Sequence, residues 1–183
     1  MKKVLVLFLM LTVSLVSTAQ NPDVYEKKEI ITADSVKAGT LYVRTLEALS
    51  DWAGSQKRSK ANVDVQDKDE GLVVYKGKLY LGFVKQNMLY GWDAFADFTL
   101  KVRCKNGKAQ ITMTIPGLTY HWSAENSADT TVPICEVYPQ FCYKGEKSIK
   151  KTSLALTPTI PKCVAEVINN IGERIAKGNE DDF

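Results

Sequence analysis

Hydrophobic and polar positions change period several times along this chain, and each change marks an element. Val24 to Thr32 mixes apolar and charged residues in an extended pattern ending in Ile30-Ile31, which predicts a strand with one wet face. From Ser35 to about Ala53 apolar side chains recur at Tyr42, Leu46, Leu49 and Ala53, flanked by Leu41 and Trp52. That spacing makes one buried stripe of a helix, with Asp34 as its expected N-cap. Lys37, Arg44, Glu47 and Asp51 fill the polar side, and Gly54-Ser55 followed by the basic run Gln56 to Lys60 ends it in a solvated loop. Val63 and Val65 then alternate with Asp64 and Gln66, Asp67 to Gly71 turns the chain, and Leu72 to Tyr75 returns as a strand. Lys76 to Tyr90, which contains Gly77 and Gly82, extends it through a bulge to a connection at Gln86-Asn87.

The next hairpin is the sharpest local signal. Asn106-Gly107 is the preferred pair for a two-residue type I′ turn and separates two alternating segments, Phe98 to Lys105 and Lys108 to Ile115. Folding about it sets Val102 against Ile111, Leu100 against Met113 and Phe98 against Ile115 on one side. The other side pairs Arg103 with Gln110, Lys101 with Thr112 and Thr99 with Thr114. A one-residue slip would expose the whole apolar set, so the register is specified. Near the C-terminus Val164, Val167, Ile168, Ile171 and Ile175 follow helical spacing, with Glu166, Asn169, Asn170, Glu173 and Lys177 opposite and Gly178 as the cap. Residues 116–161 are too long for a plain loop and predict short strands or an irregular insertion. The order is therefore β-α-β-β-β-β-α. Sequential hairpins with helices at separated points make this an α+β chain, an antiparallel sheet with two helices on one face.

Composition agrees with a packed domain: 183 residues, 45% hydrophobic and 25% charged. Residues 1–19 read as a signal peptide. Lys2-Lys3 is the positive start, Val4 to Val16 the apolar stretch, and Ser17-Thr18-Ala19 supplies small residues before Gln20. That stretch of roughly 13 residues is short of the roughly 20 a spanning helix needs. The expected product is a single domain, 20–183, periplasmic or secreted, with no membrane insertion after cleavage. Lys2 and Lys3 supply two of the three net positive charges, so the mature chain is nearly neutral and carries no global argument for binding nucleic acid.

Cys104, Cys135, Cys142 and Cys163 suit an oxidising compartment. We expect Cys135 to pair with Cys142 across the proline-containing segment between them, and Cys104 with Cys163 near the start of the last helix. Spacings of 31, 7 and 21 residues, with His121 the only histidine, do not match a structural zinc site. The acidic turn is no calcium loop either, since Lys78 falls where the bidentate glutamate belongs. No metal and no cofactor is expected.

The run Val63-Asp64-Val65-Gln66-Asp67-Lys68-Asp69-Glu70-Gly71-Leu72-Val73-Val74, continued through Lys76-Gly77-Lys78, resembles a bacterial exported family of unknown function with a TATA-binding-protein-like fold. The upstream strand and Trp-ended helix are similar to it too, so the resemblance covers Val24 to Ile115 and the final helix. It implies the fold and export, but no activity and no catalytic residues. The cysteines and the insertion after Pro116 are not part of the pattern.

Catalytic motifs are missing. There is no Gly-x-Ser-x-Gly elbow, no phosphate loop and no dinucleotide fingerprint, and Ser148-Ile149-Lys150-Lys151 lacks the companion motifs of serine-lysine acyltransferases. A cysteine nucleophile with His121 as base is the one conceivable dyad. Binding is the stronger reading. With the helices on the apolar side, Lys101, Arg103, Thr112 and Thr114, together with Thr99 and Gln110, stand on a rigid polar platform. Tyr120-His121-Trp122 is a second candidate, an aromatic cluster suited to a sugar or peptide, unless alternate residues of that strand enter the core. Eukaryotic proteins of this shape bind DNA through the equivalent face, yet fold does not fix function. The expected partner is an envelope component, an extracellular protein or a glycan; the alternative is a small secreted hydrolase with its site in 116–161.

Overall fold

The computed structural model describes residues 24–57, 59–85, 91–122, 129–134, 156 and 158–177. The expected signal peptide, the Gln86-Asn87 connection, Cys135 and Cys142 lie outside them. In chain order the elements are β1 (Tyr25–Thr32), α1 (Ala38–Ser55), β2 (Lys60–Asp67), β3 (Leu72–Lys85), β4 (Gly91–Lys105), β5 (Lys108–Trp122), β6 (Thr130–Pro133) and α2 (Thr159–Lys177). The strands make one antiparallel sheet ordered β1-β5-β4-β3-β2, with β6 also on β5. β1 pairs with Lys108 to Ile115 and β6 with Gly117 to Tyr120, so the two short strands share one edge of β5 end to end.

Both helices lie on one face, and a single apolar core fills the space beneath them. Val73, Tyr75, Leu100, Val102, Ile111, Met113 and Ile115 come from the sheet; Leu41, Leu49, Trp52, Val164, Ile168 and Ile171 come from the helices. Trp52 packs edge-on against Phe98, with ring centroids 5.8 Å apart. α2 buries the stripe its spacing announced, joined by Ile160 and Gly172. On α1 the buried stripe is rotated from expectation to Leu41, Tyr42, Thr45, Ala48, Leu49 and Trp52, leaving Leu46 and Ala53 partly buried. Thr45 can enter the core because its hydroxyl donates to the Leu41 carbonyl one turn back, at 2.7 Å.

Arg103 pairs with Gln110, Val102 with Ile111, Lys101 with Thr112, Leu100 with Met113 and Thr99 with Thr114, the expected register. Three local expectations are corrected. The Asn106-Gly107 turn is present, but only Gly107 has a positive φ, at 75°, so it is not type I′. Its groups serve α1 instead: Asn106 Oδ1 accepts the Ala38 N–H at 2.9 Å, while Gly107 bonds Ala33 and Val36 through its carbonyl and N–H. Consequently Asp34 is not the N-cap; the chain turns through Ala33–Val36, and α1 begins at Ala38 behind Lys37. Phe98 does not pair with Ile115, because a bulge between Asp97 and Thr99 shifts the register before Asp97 meets Gly117. Pro116, with no N–H for the ladder, lies in that bulge. β5 runs on past it, so part of the expected 116–161 insertion is strand. The expected bulge in β3 falls at Tyr80/Gly82.

Candidate functional site

Alternation along β4 and β5 sends every second side chain away from the helices. Thr99, Lys101 and Arg103 on β4 and Gln110, Thr112 and Thr114 on β5 thereby reach the open face, joined by Glu26 and Lys28 of β1. Together these eight line a concavity of 320 Å³. The expected platform residues Lys101, Arg103, Thr112 and Thr114 are thus brought together. Lys28 lies 3.8 Å from Glu26, an exposed pair. A second hollow of 220 Å³, lined by Ile30, Arg103, Lys105, Lys108 and Gln110, continues toward the hairpin end; Arg103 and Gln110 border both.

The other end of the same face has different chemistry. Tyr120, His121 and Trp122 do not form one cluster: Tyr120 is buried in the core, whereas His121 projects outward. The Trp122 side chain lies outside the described residues. His121 Nδ1 is 2.7 Å from Asp129 Oδ1, and Lys78 Nζ is 3.5 Å from Asp129 Oδ2. The His121 hydrogen bond, with Lys78 second among the favourable causes, holds the Asp129 carboxyl below its usual range despite slight desolvation. Thr119 donates to Asp97 at 2.6 Å and Tyr80 to Asp93 at 3.0 Å, while the Tyr80 and Phe95 rings lie 5.4 Å apart. Rings and carboxylates share this end.

Cys104 and Cys163 are free thiols, so the expected bond between them is not formed. Cys104 is buried beside Thr45 Oγ1, at 3.4 Å, near where Leu72 meets Arg103. Cys163 borders a hollow of 290 Å³ with Trp52, Leu79 and Glu166. Leu79 and Leu72 are seven residues apart on β3, roughly 20 Å, whereas a disulfide needs Cα atoms within about 7 Å. Burial pushes both thiols up, and the Glu166 charge adds to the effect at Cys163. Both lie on the helix side while His121 lies on the open side, so neither forms the conceivable dyad with it. Among the described residues, no three His, Cys, Asp or Glu side chains gather as a metal site requires. No described helix is long and apolar enough to cross a membrane.

Sequence reasoning missed Glu26, Lys28, Ile30, Lys105 and Lys108. Lys105 and Lys108 are legible once the hairpin register is written out to its last pair. The β1 residues depend on a pairing between strands some 80 positions apart that no local pattern announces.

Comparison with known proteins places the fold. Residues 28–117 match the model of DUF4468, a domain of unknown function with TBP-like fold. A TBP-like protein from Parabacteroides distasonis superposes with a TM-score of 0.54 at 11% identity, covering 83% of this chain and 94% of its own. A DUF4468 family protein from Bacteroides ovatus gives 0.50 at 10% identity, covering 80% and 86%. No curated protein matches the chain.

Proposed function

Proceeding from a DUF4468 domain of TBP-like fold at residues 28–117, we propose that this chain is an exported, non-catalytic binding domain. Its signal peptide, 1–19, delivers residues 20–183 to the periplasm or the cell exterior. There the open sheet face takes an envelope component, an extracellular protein or a glycan. The observation that carries this reading is the concavity across β1, β5 and β4, where eight polar side chains stand on three paired strands while the apolar side is roofed by helices. Strand-mounted side chains are held more rigidly than loop residues, which lowers the entropy lost on binding.

The test uses isotope-labelled chain lacking residues 1–19, titrated with solubilised envelope polysaccharide and protein fractions. Amide shifts at Lys101, Arg103, Thr112 and Thr114 are expected, and Thr112→Trp, which fills the concavity, should abolish them. Shifts confined to α1 and α2, or chemical turnover of a fraction, would overturn the reading. Export is checked separately by sequencing the N-terminus of the product recovered outside the cytoplasm, expected at Gln20.

A further inference from the structure

We infer that the hairpin end of the open face binds an anionic glycan, a chain of sugars bearing carboxylate or sulfate groups. This rests on the reading that the open face is the binding surface, and it names the ligand class. Lys101, Arg103 and Lys105 occupy alternate positions of β4 and so form a row about 6.6 Å apart on one side. Lys108 faces Lys105 across the ladder, and Lys28 lies opposite Thr112 on β1. The one carboxylate among the residues lining the two hollows, Glu26, is 3.8 Å from Lys28. Lys101, Arg103, Lys105 and Lys108 have no ion pair among the described residues. Their spacing is shorter than the screening length of about 8 to 10 Å in ordinary salt, so they repel one another, a repulsion that Asp67, two strands from Arg103 across Leu72, reduces without pairing with any of them. A ligand with repeated negative charge relieves it.

The surroundings select among polyanions. The two hollows are floored by three of the five strands that lie side by side, a width of roughly 10 Å that fits one polymer chain. A duplex laid along the whole sheet would press its phosphates on Asp93, Asp97 and Asp129 at the far end. The lining contains no aromatic ring for base stacking, in contrast to single-strand binding surfaces. Thr99, Thr112, Thr114 and Gln110 instead offer hydroxyls and an amide, donors and acceptors matched to sugar hydroxyls, and the Arg103 fork suits a carboxylate or sulfate.

The experiment titrates the labelled chain with oligogalacturonate, a sulfated glycan oligomer, a neutral malto-oligosaccharide of equal length, a single-stranded oligonucleotide and polyglutamate. Saturable shifts at Lys101, Arg103, Lys105 and Lys108 are expected with one of the two acidic sugars and not with the neutral one, weakening as salt rises. Lys101→Gln/Arg103→Gln/Lys105→Gln should weaken binding by about tenfold or more, while Lys177→Gln on α2 leaves it unchanged. Arg103→Lys, which keeps the charge and loses the fork, should weaken it several-fold. Equal binding of the neutral sugar at these residues overturns the anionic inference and leaves the open-face reading standing. Tighter binding of the oligonucleotide or polyglutamate overturns the glycan class. Shifts confined to the helices overturn both.

Discussion

Val102 and Lys101 are neighbours in sequence and opposites in surroundings. Val102 is fully buried between Val73 and Ile111, while Lys101 stands in water between Val74 and Thr112. Val102→Asp places an unpaired carboxylate in the core, a penalty of several kcal/mol against a total stability of about 5 to 15, so the domain should lose its cooperative urea transition. Lys101→Ala should move that transition by less than about 0.5 kcal/mol. Equal tolerance of both would mean the two faces are assigned the wrong way round. This distinction was legible from alternation alone. The fate of Cys104 was only half legible: the pattern gives its buried side, but its distance from Cys163 depends on where along the sheet α2 begins. Burial raises the Cys104 thiol above its ordinary 9.0, an effect the Thr45 contact only partly offsets. The unfolded chain therefore releases this proton first, so the contribution is intact below about pH 9 and is lost as pH rises toward the folded value. Cys104→Ala should flatten that part of the alkaline stability limb, and in the native protein Cys104 should resist alkylation until unfolding. Rapid native alkylation would contradict its burial.

At the scale of elements, the hairpin and the start of α1 are one device. Asn106 does not use its side chain to shape its own turn; it accepts the Ala38 N–H, and Gly107 ties down both Ala33 and Val36. A helix begins with N–H groups that lack partners, and here one of them is met by a residue 68 positions away. Asn106→Ala should therefore destabilise the fold by about 1 kcal/mol and speed amide exchange in the first turn of α1, leaving α2 unaffected. Exchange that rises only within the hairpin would show that the cap is dispensable. The same arrangement explains why the helix start was misread. Local rules look for a serine or aspartate just before the apolar stripe and found Asp34, whereas the acceptor comes from a distant turn. The helices and the β4–β5 register were legible because their signals repeat over many residues. Gly77 adds a constraint of similar reach: a Cβ there would lie 2.1 Å from the Lys60 carbonyl oxygen, so the β2–β3 edge closes only around glycine.

For the whole molecule, the decisive arrangement is that β1 lies beside β5 and gives the concavity on the open face its third strand. Hairpins link β2 to β3 and β4 to β5, but nothing local tells β1 to cross to the far side of the sheet. What fixes it is contact on two sides, with α2 and with β5. α2 passes so close that a Cβ at Gly172 would meet the Ile31 Cδ1 at 2.6 Å, and Ile111 lies next to it, so β1 completes the floor under that helix. The main-chain groups of β5 from Lys108 to Ile115 would otherwise face solvent as an open edge. A chain beginning at Ala33 removes both supports at once. It should lose cooperative unfolding and associate through the bare β5 edge, giving oligomers by sedimentation at concentrations where the chain from Gln20 is monomeric. The same deletion takes Glu26 and Lys28 from the concavity, so any fraction that stays monomeric should lose part of the proposed binding surface as well as its stability. A monomeric, cooperatively folded product with glycan binding intact would mean that neither the sheet nor the proposed recognition face needs its first strand.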